Sequence, residues 1–370
     1  MGNGEANPSK GGVITGVDDR ALSVPTATGA ERRVDELLAE RGEANRRFFG
    51  AEAGRVALLC RELAERFLSG GRLLALGGSR QAWSVAHHVA VEFVHPVIAG
   101  RRPLPALALD PADEDLVATP ADSVVSFEPL TFRIGRRAWV FQPPSNDPFV
   151  RQEIAETLHH VVCELVHVFF EHASSAEAVL EDVRRSVLMK TDEAGALREQ
   201  TLGEGRKTLG GAAARLRRAF DEGGTLFVFG NGGSAAAAMD AVADFRFAPQ
   251  GWSGHRAVDL SGDGAVLTAL AGEIGPEALF ARQLIAYAAP GDVALAISTS
   301  GGSDGIVEAL GEARRRGLRT IALVGDDGGR IAAAELADHI VVTRSNHVPR
   351  IQEAQATAYH VLRELVELAG

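Results

Sequence analysis

Two stretches of this chain repeat one another across 200 residues. Residues 145–166 (SNDPFVRQEIAETLHHVVCELV) and 345–366 (SNHVPRIQEAQATAYHVLRELV) agree at ten of 22 positions, where chance supplies about one or two. Gln152/Gln352, Glu153/Glu353 and His160/His360 are among the matches. A second correspondence joins residues 73–93 (LLALGGSRQAWSVAHHVAVEF) to 227–245 (FVFGNGGSAAAAMDAVADF), at an offset of about 153. A repeat of this size sets the architecture before any single element does. The chain is a duplicated domain whose first copy lacks about 45 residues between its two anchors.

The second copy reads as alternating strands and helices. Leu209, Ala212, Leu216 and Phe220 recur at helical spacing within residues 177–222, and Gly223-Gly224 ends that helix. The apolar run 225–229 leads into Gly230-Asn231-Gly232-Gly233-Ser234 and an alanine-rich helix. The strand 292–297 leads likewise into Ser298-Thr299-Ser300-Gly301-Gly302-Ser303 and a helix over 304–316. Residues 320–324 and 339–342 read as further buried strands. This alternation predicts a parallel sheet with ligands at the carboxyl ends of its strands. Each strand–turn–helix unit aims backbone N–H groups and the positive end of a helix dipole at an anion.

The first copy predicts a helix-rich segment over 31–67, a strand at 73–76, a Gly77-Gly78-Ser79 turn and a helix through Phe93. Strands are expected at 104–109 and 138–141, with no Ser-Thr-Ser-Gly turn between them. This copy is therefore expected to have a smaller sheet and one phosphate-cradling loop fewer. The expected division is a disordered tail over residues 1–30, rich in Gly, Pro, Ser and Thr, a reduced domain over 31–172 and a complete one over 173–370.

The serine turns carry no lysine, and both the P-loop pattern and G-x-G-x-x-G with its distal acid are missing. Hydroxyls and amides that hold a phosphate without a metal-chelated triphosphate suit a sugar monophosphate. A net charge of −11 argues against nucleic acid or an acidic membrane as partner. Cys60 and Cys163 are too few for a disulfide scaffold or a thiolate metal cluster. With no apolar run of membrane-spanning length and no signal-type apolar core in residues 1–30, the expectation is a soluble, cytoplasmic protein.

GNGGSA at Gly230, ISTSGGS at Ile297 and RIQEA followed by His360 resemble the SIS (sugar isomerase) domain, and within it the sedoheptulose 7-phosphate isomerases (phosphoheptose isomerases). The resemblance covers residues 182–368 and, more thinly, the first copy. It implies an α/β protein of two tandem flavodoxin-like domains, each a three-layer parallel sheet, the first reduced. It further implies a homo-oligomer, here a dimer of pseudo-dimers, that interconverts a ketose phosphate and an aldose phosphate with a divalent metal, zinc being the expected ion. Carried over by position, substrate contacts fall on Asn231, Gly232, Gly233, Ser234, Ser298, Thr299, Ser300, Ser303 and Gln352.

The family's metal helix carries His-x-x-x-Glu, with Gln and His on the last helix. The second copy keeps Gln352 and His360 but has Asp240 and Asp244 in place of the pair; the first offers His88, Glu92, Gln152 and His160, with His87 an alternative first ligand. Asp240 and Asp244 also suit a solvated helix face, His159 a surface position, and Trp83, Trp139 and Trp252 plain packing. The implied enediol chemistry needs one base and one acid at the C1–C2 edge. The candidates are Glu92 with His160, or Asp244 with His360, and the shorter Asp ranks lower because about 1 Å of misplacement costs on the order of 100-fold in rate. The complementary losses predict one composite site, with phosphate held by the second copy and the reacting carbons met by Glu92 or His160.

Overall fold

The strands at the centre of each copy are apolar at every position, the pattern of a sheet covered on both faces. In the computed structural model, which describes residues 1, 27–97, 101–172 and 176–368, these runs are β1 (Leu73–Leu76) and β6 (Leu226–Phe229). Most of the tail expected over 1–30 lies outside the described residues; residues 27–30 are already helical.

The second copy contains β6, β7 (Ala257–Asp259), β8 (Val293–Ser298), β9 (Arg319–Gly325) and β10 (His339–Thr343). They form a sheet of order β10-β9-β8-β6-β7, parallel throughout. Alternate side chains face opposite layers. Leu226, Val228, Leu295, Ile297, Ile321 and Leu323 pack toward α5 (Ala176–Asp221), α6 (Gly233–Arg246) and α11 (Val348–Leu368). Phe227, Phe229, Ala294, Ala296, Ala322 and Val324 pack toward α8 (Leu279–Tyr287) and α9 (Asp304–Arg315). This is the expected three-layer arrangement.

The first copy differs from expectation in its sheet. β2 (Ala106–Leu109), β1 and β3 (Ser123–Phe127) are parallel and repeat the β7-β6-β8 core of the other copy, but β4 (Leu130–Ile134) and β5 (Arg137–Val140) then turn back antiparallel. Each sheet has five strands, so the first copy's sheet is not smaller. What is reduced is the outer layer. One face carries a full core with α1 (Ala27–Leu68), α2 (Arg80–Val94) and α4 (Pro148–Glu171), while the other packs Leu74, Leu76 and Val124 mainly on Leu109 and Ala118. Two-residue connections suffice for antiparallel strands, whereas each parallel strand needs a crossover of a dozen or more residues. Shortening the chain thus removes helices while keeping strand number.

Two long helices tie the copies together. α1 and α5 run antiparallel, as the exposed pairs Asp35–Arg206 (3.2 Å) and Arg61–Glu177 (2.7 Å) at their opposite ends show. The first half of α1 places Val34 and Leu37 in the second copy's core, while its second half places Val56 and Leu59 in the first. No described helix is long and apolar enough to cross a membrane.

Between the two sheets lie α4 and α11, buried along nearly their whole lengths. They are antiparallel and joined by reciprocal bonds: His160 Nδ1 to Glu353 Oε1 (3.0 Å) and His360 Nδ1 to Glu153 Oε1 (2.9 Å). Arg41 of α1 closes the network, donating to Glu153 Oε1 (2.9 Å) and to Glu364 Oε1 (2.5 Å). The Arg41 guanidinium, with His360 and Arg198, outweighs the cost of burial and holds Glu153 well below the usual carboxylate range. Arg41→Ala would leave two buried carboxylates short of their cation and should destabilise the fold by about 3–5 kcal/mol, read as a lowered midpoint in urea unfolding.

Candidate active site

At the carboxyl ends of the adjacent strands β6 and β8, the second copy presents both glycine–serine turns side by side. Gly232 has φ +59°, a left-handed conformation open to glycine, and α6 begins at the next residue. Asn231 Nδ2 donates to Ser303 Oγ (2.9 Å), linking the two turns. Ser298 Oγ accepts from the Gly301 amide (3.1 Å) and Ser300 Oγ from the Gly302 amide (3.2 Å), which shape the second turn. Asn231, Gly232 and Ser300 are exposed, Thr299 and Ser303 half-buried, and Gly233, Ser234 and Ser298 form the buried floor. All eight residues assigned to phosphate and sugar contact in these turns therefore sit in one place.

In the first copy, β1 and the Gly77-Gly78-Ser79 turn lead into α2, whose first turn is capped by Ser79 Oγ accepting from Ala82 N (3.1 Å). Residues four apart share a helical face, and His88 Nε2 lies 3.7 Å from Glu92 Oε1, both side chains buried. His88 lies on the Glu92 face of the helix, while His87 sits half-buried with its ring edge on Trp83.

The glutamine that meets this pair is not the one expected. Gln352 Nε2 donates to Glu92 Oε1 (3.1 Å), whereas Gln152 lies between the two groups, lining a cavity beside Asp244 and a small one beside His88 and His159. The helix itself gives the reason. Gln152 and His160 are eight residues apart, about 12 Å along the axis, too far to meet at one ion. In an antiparallel α4–α11 pair, the glutamine of one helix lies beside the histidine of the other.

The group at Glu92 is thus His88, Glu92 and His160 from the first copy and Gln352 from the second. It lies directly against the second copy's glycine turn. A Cβ built on Gly233 would come within 2.0 Å of Gln352 Nε2, 2.8 Å of Glu92 Oε1 and 3.0 Å of His88 Nε2. The first glycine–serine turn and the histidine–glutamate pair, separated by about 140 residues of sequence, lie against one another.

Its electrostatics follow from burial and neighbours. Burial disfavours the His88 cation, but Glu92, Glu156 and Asp240 outweigh it and raise the pKa. Burial likewise opposes the Glu92 anion, and His88, His160 and Gln352 more than offset this to lower its pKa. His160 is pushed well below the ordinary histidine range by burial and by the charge of His88. Glu156, buried near Asp240 and Glu353, is raised to about 8 despite the opposing pull of His88. Sequence reasoning missed His159: it is buried, with its ring edge on His88 at 4.9 Å, and His88, His159 and His160 converge as one group that could hold a metal ion.

A second such group is Asp240, Asp244 and His360. The two aspartates lie 5% and 2% exposed, so they do not form a solvated face. Asp240 accepts from Ser84 Oγ and Tyr359 OH, both at 2.7 Å, and His360 Nε2 lies 3.4 Å from Asp240 and 3.3 Å from Asp244. Burial opposes the His360 cation, yet Asp240, Asp244 and Glu153 raise its pKa well above the ordinary value. Burial, then the charge of Asp240, pushes Asp244 up to about 6. This cluster is a compensated ion network more than an open ligand set.

The SIS domain family matches residues 191–325. A phosphoheptose isomerase from Chlorobium phaeobacteroides is 37% identical over 203 residues, spanning 53% of this chain and 84% of that protein. One from Pelobacter propionicus is 45% identical over 159 residues, spanning 42% and 82% respectively. Among solved structures, the C-terminal domain of a glucosamine-fructose-6-phosphate aminotransferase from Francisella tularensis aligns over 90% of this chain and 94% of its own, with a TM-score of 0.55 at 13% identity. That likeness is one of fold, and it extends over both copies.

Fold and matched segment define the class: an α/β protein of two tandem SIS-like folds, with the SIS domain family matched in the second. Within that class, the chain belongs to the phosphoheptose isomerase family.

The cross-copy contacts are testable by metal affinity alone. Gly233→Ala should displace Gln352 and weaken zinc binding at least tenfold, by competition against a chromogenic chelator, with an unchanged circular dichroism spectrum. Glu353→Gln, which disturbs the partner of His160 Nδ1, should weaken it by about 10–100-fold.

Proposed function

We propose that this chain is a phosphosugar aldose–ketose isomerase, converting sedoheptulose 7-phosphate to D-glycero-D-manno-heptose 7-phosphate at one composite site per chain. The observation that carries this reading is the approach of Gly233, on the second copy's phosphate-type turn, to Glu92, His88 and Gln352. A phosphate seated in the Asn231–Ser234 and Ser298–Ser303 turns would extend its sugar toward Glu92 and His160. Binding energy at the phosphate end is then available to position the reacting carbons.

The residues fit a divalent metal, with zinc the expected ion. His88 Nε2, His160 Nε2 and Gln352 Oε1 are buried without hydrogen-bond partners, and imidazole nitrogens with a carboxylate oxygen are zinc-type ligands. His160 donates from Nδ1 to Glu353, which leaves Nε2 as a lone-pair donor. Such an ion would polarise the sugar carbonyl and hold its oxygens.

The protein's own Glu92 supplies the proton step at carbon. Both contacts of Glu92 with His88 and Gln352 use Oε1, so Oε2 is left to take the C1 proton of the ketose and return it to C2. The remaining proton exchanges directly between O1 and O2 of the enediol, because His160 has Nδ1 on Glu353 and Nε2 among the metal-facing atoms. Asp244 and His360 lie in the other cluster and take no part in this scheme.

The proposed organisation is two domains over 31–172 and 173–370, crossed by α1 and α5, in a chain that assembles as a dimer of pseudo-dimers in the cytoplasm. Two buried, unpaired cysteines suit a reducing compartment.

Incubation with sedoheptulose 7-phosphate and zinc should yield an aldose product. Ser234→Ala and Ser300→Ala should raise KM with the fold intact. Gln352→Ala should lower kcat at least 100-fold, while Gln152→Ala should leave it within about threefold. Equal losses in the two glutamine variants would dismiss the composite site, and sugar-phosphate binding without turnover would make the chain a binding protein.

A further inference from the structure

Three unpartnered imidazole nitrogens come together between α2 and α4, and the family pattern accounts for only two of them. His88, His159 and His160 are 5%, 2% and 1% exposed, and the Nε2 atom of each is buried without a hydrogen-bond partner. One ligand nitrogen from each ring lies within 4.8 Å of those of the other two. The ring centroids are 4.4–5.0 Å apart. A buried polar atom left unsatisfied is costly. One cation among these rings would satisfy three such atoms at once.

The opposite side of each ring is occupied by an oxygen. His159 Nδ1 donates to the Ala155 carbonyl (3.3 Å), which can only accept, so the lone pair of His159 is on Nε2. His160 Nδ1 is bonded to Glu353 Oε1 (3.0 Å), and His88 Nδ1 faces Glu156 Oε1 at 3.7 Å. An oxygen at one ring nitrogen and a free lone pair at the other is the arrangement of metal-bound histidines. The other copy lacks two of these parts. At the matching positions 200 residues on, Tyr359 replaces His159 and Ala356 replaces Glu156, and the Tyr359 hydroxyl donates to Asp240 instead. The third histidine thus occurs in the copy that also carries His88 and Glu92.

We infer that His159 is a metal ligand, and that the ion of the composite site is held by three imidazoles, those of His88, His159 and His160. The inference rests on the zinc reading above and changes its donor set. Glu92 Oε1 already meets His88 and Gln352, and Glu92 stands beside the ion as a base instead of ligating it. Three protein nitrogens suffice for a zinc site that keeps a position for a further ligand. An all-imidazole set suits zinc, copper or nickel better than magnesium or manganese.

The test is zinc binding by the full chain. It reads no turnover, so it stands or falls apart from the isomerase activity. X-ray absorption at the zinc edge of the parent, loaded with one equivalent, should show three imidazoles in its outer-shell scattering, with Zn–N distances of about 2.0–2.1 Å. His159→Phe keeps an aromatic ring of similar size but offers no nitrogen. It should weaken zinc at least 100-fold in competition with a chromogenic chelator, because loss of an outer partner alone costs about 10–100-fold. Glu92→Gln should cost about tenfold or less. Two imidazoles at the zinc edge overturn the assignment of His159 whether or not the variant folds. So does a His159→Phe chain of unchanged circular dichroism that loses less than tenfold in affinity, or less than Glu92→Gln does. In those cases zinc at Glu92 is left standing. A parent chain without saturable zinc binding overturns both.

Discussion

The reciprocal bonds between α4 and α11 are the constraint on which the rest depends. A buried carboxylate without a partner is too costly to keep, and a buried imidazole needs its Nδ1 satisfied. Glu153 with His360 and Glu353 with His160 meet both needs at once, 2.9 and 3.0 Å apart. Sliding one helix along the other by a turn, about 5.4 Å, would break both pairs. The register of the two copies is thereby set to the residue. That register places Gln352 over Glu92 and leaves Gln152 beside the cavity of Asp244.

With the register set, the two potential sites are free to diverge. Each would draw an i, i+4 pair and a histidine from one copy and a glutamine from the other. One retains His88 and Glu92 against an intact pair of glycine–serine turns. The other has aspartates held by Ser84, Tyr359 and His360, and faces a turn built from Phe127 and Pro129. The loss of the outer helices in the first copy belongs to the same change. Once β3 turns back into an antiparallel strand instead of crossing over, no serine turn remains to cradle a phosphate.

Much of the candidate site was legible from residue patterns. The glycine–serine turns, His88 with Glu92, and His160 each carry a local signature: a strand–turn–helix break, an i, i+4 pair, a repeated histidine. The identity of the glutamine was also within reach of the numbers, because eight residues of helix span too far for one ion. It is hidden because the two helices that meet at Glu92 lie about 200 residues apart in sequence. His159 was harder, since a histidine beside another on an amphipathic pattern reads as surface until the helix is known to be buried on every side. β3 and β4 were missed because serine, threonine and arginine interrupt their apolar runs, and the sequence between β2 and β5 lacks the helical spacing that marks a crossover.

By itself the sequence determined the duplication, the alternation of strands and helices, the anion-type turns and the kinds of side chain available for chemistry. These are local or periodic properties, written within a few turns of chain or in a repeat. Only the tertiary structure decided which copy supplies which side chain of the candidate site, that Gly233 lies against Glu92, and that the trimmed copy keeps five strands and opens a cavity with apolar sides. Those facts come from packing two buried helices against each other in one register. The energy that selects that register belongs to contacts between residues about 200 positions apart, which no local pattern encodes.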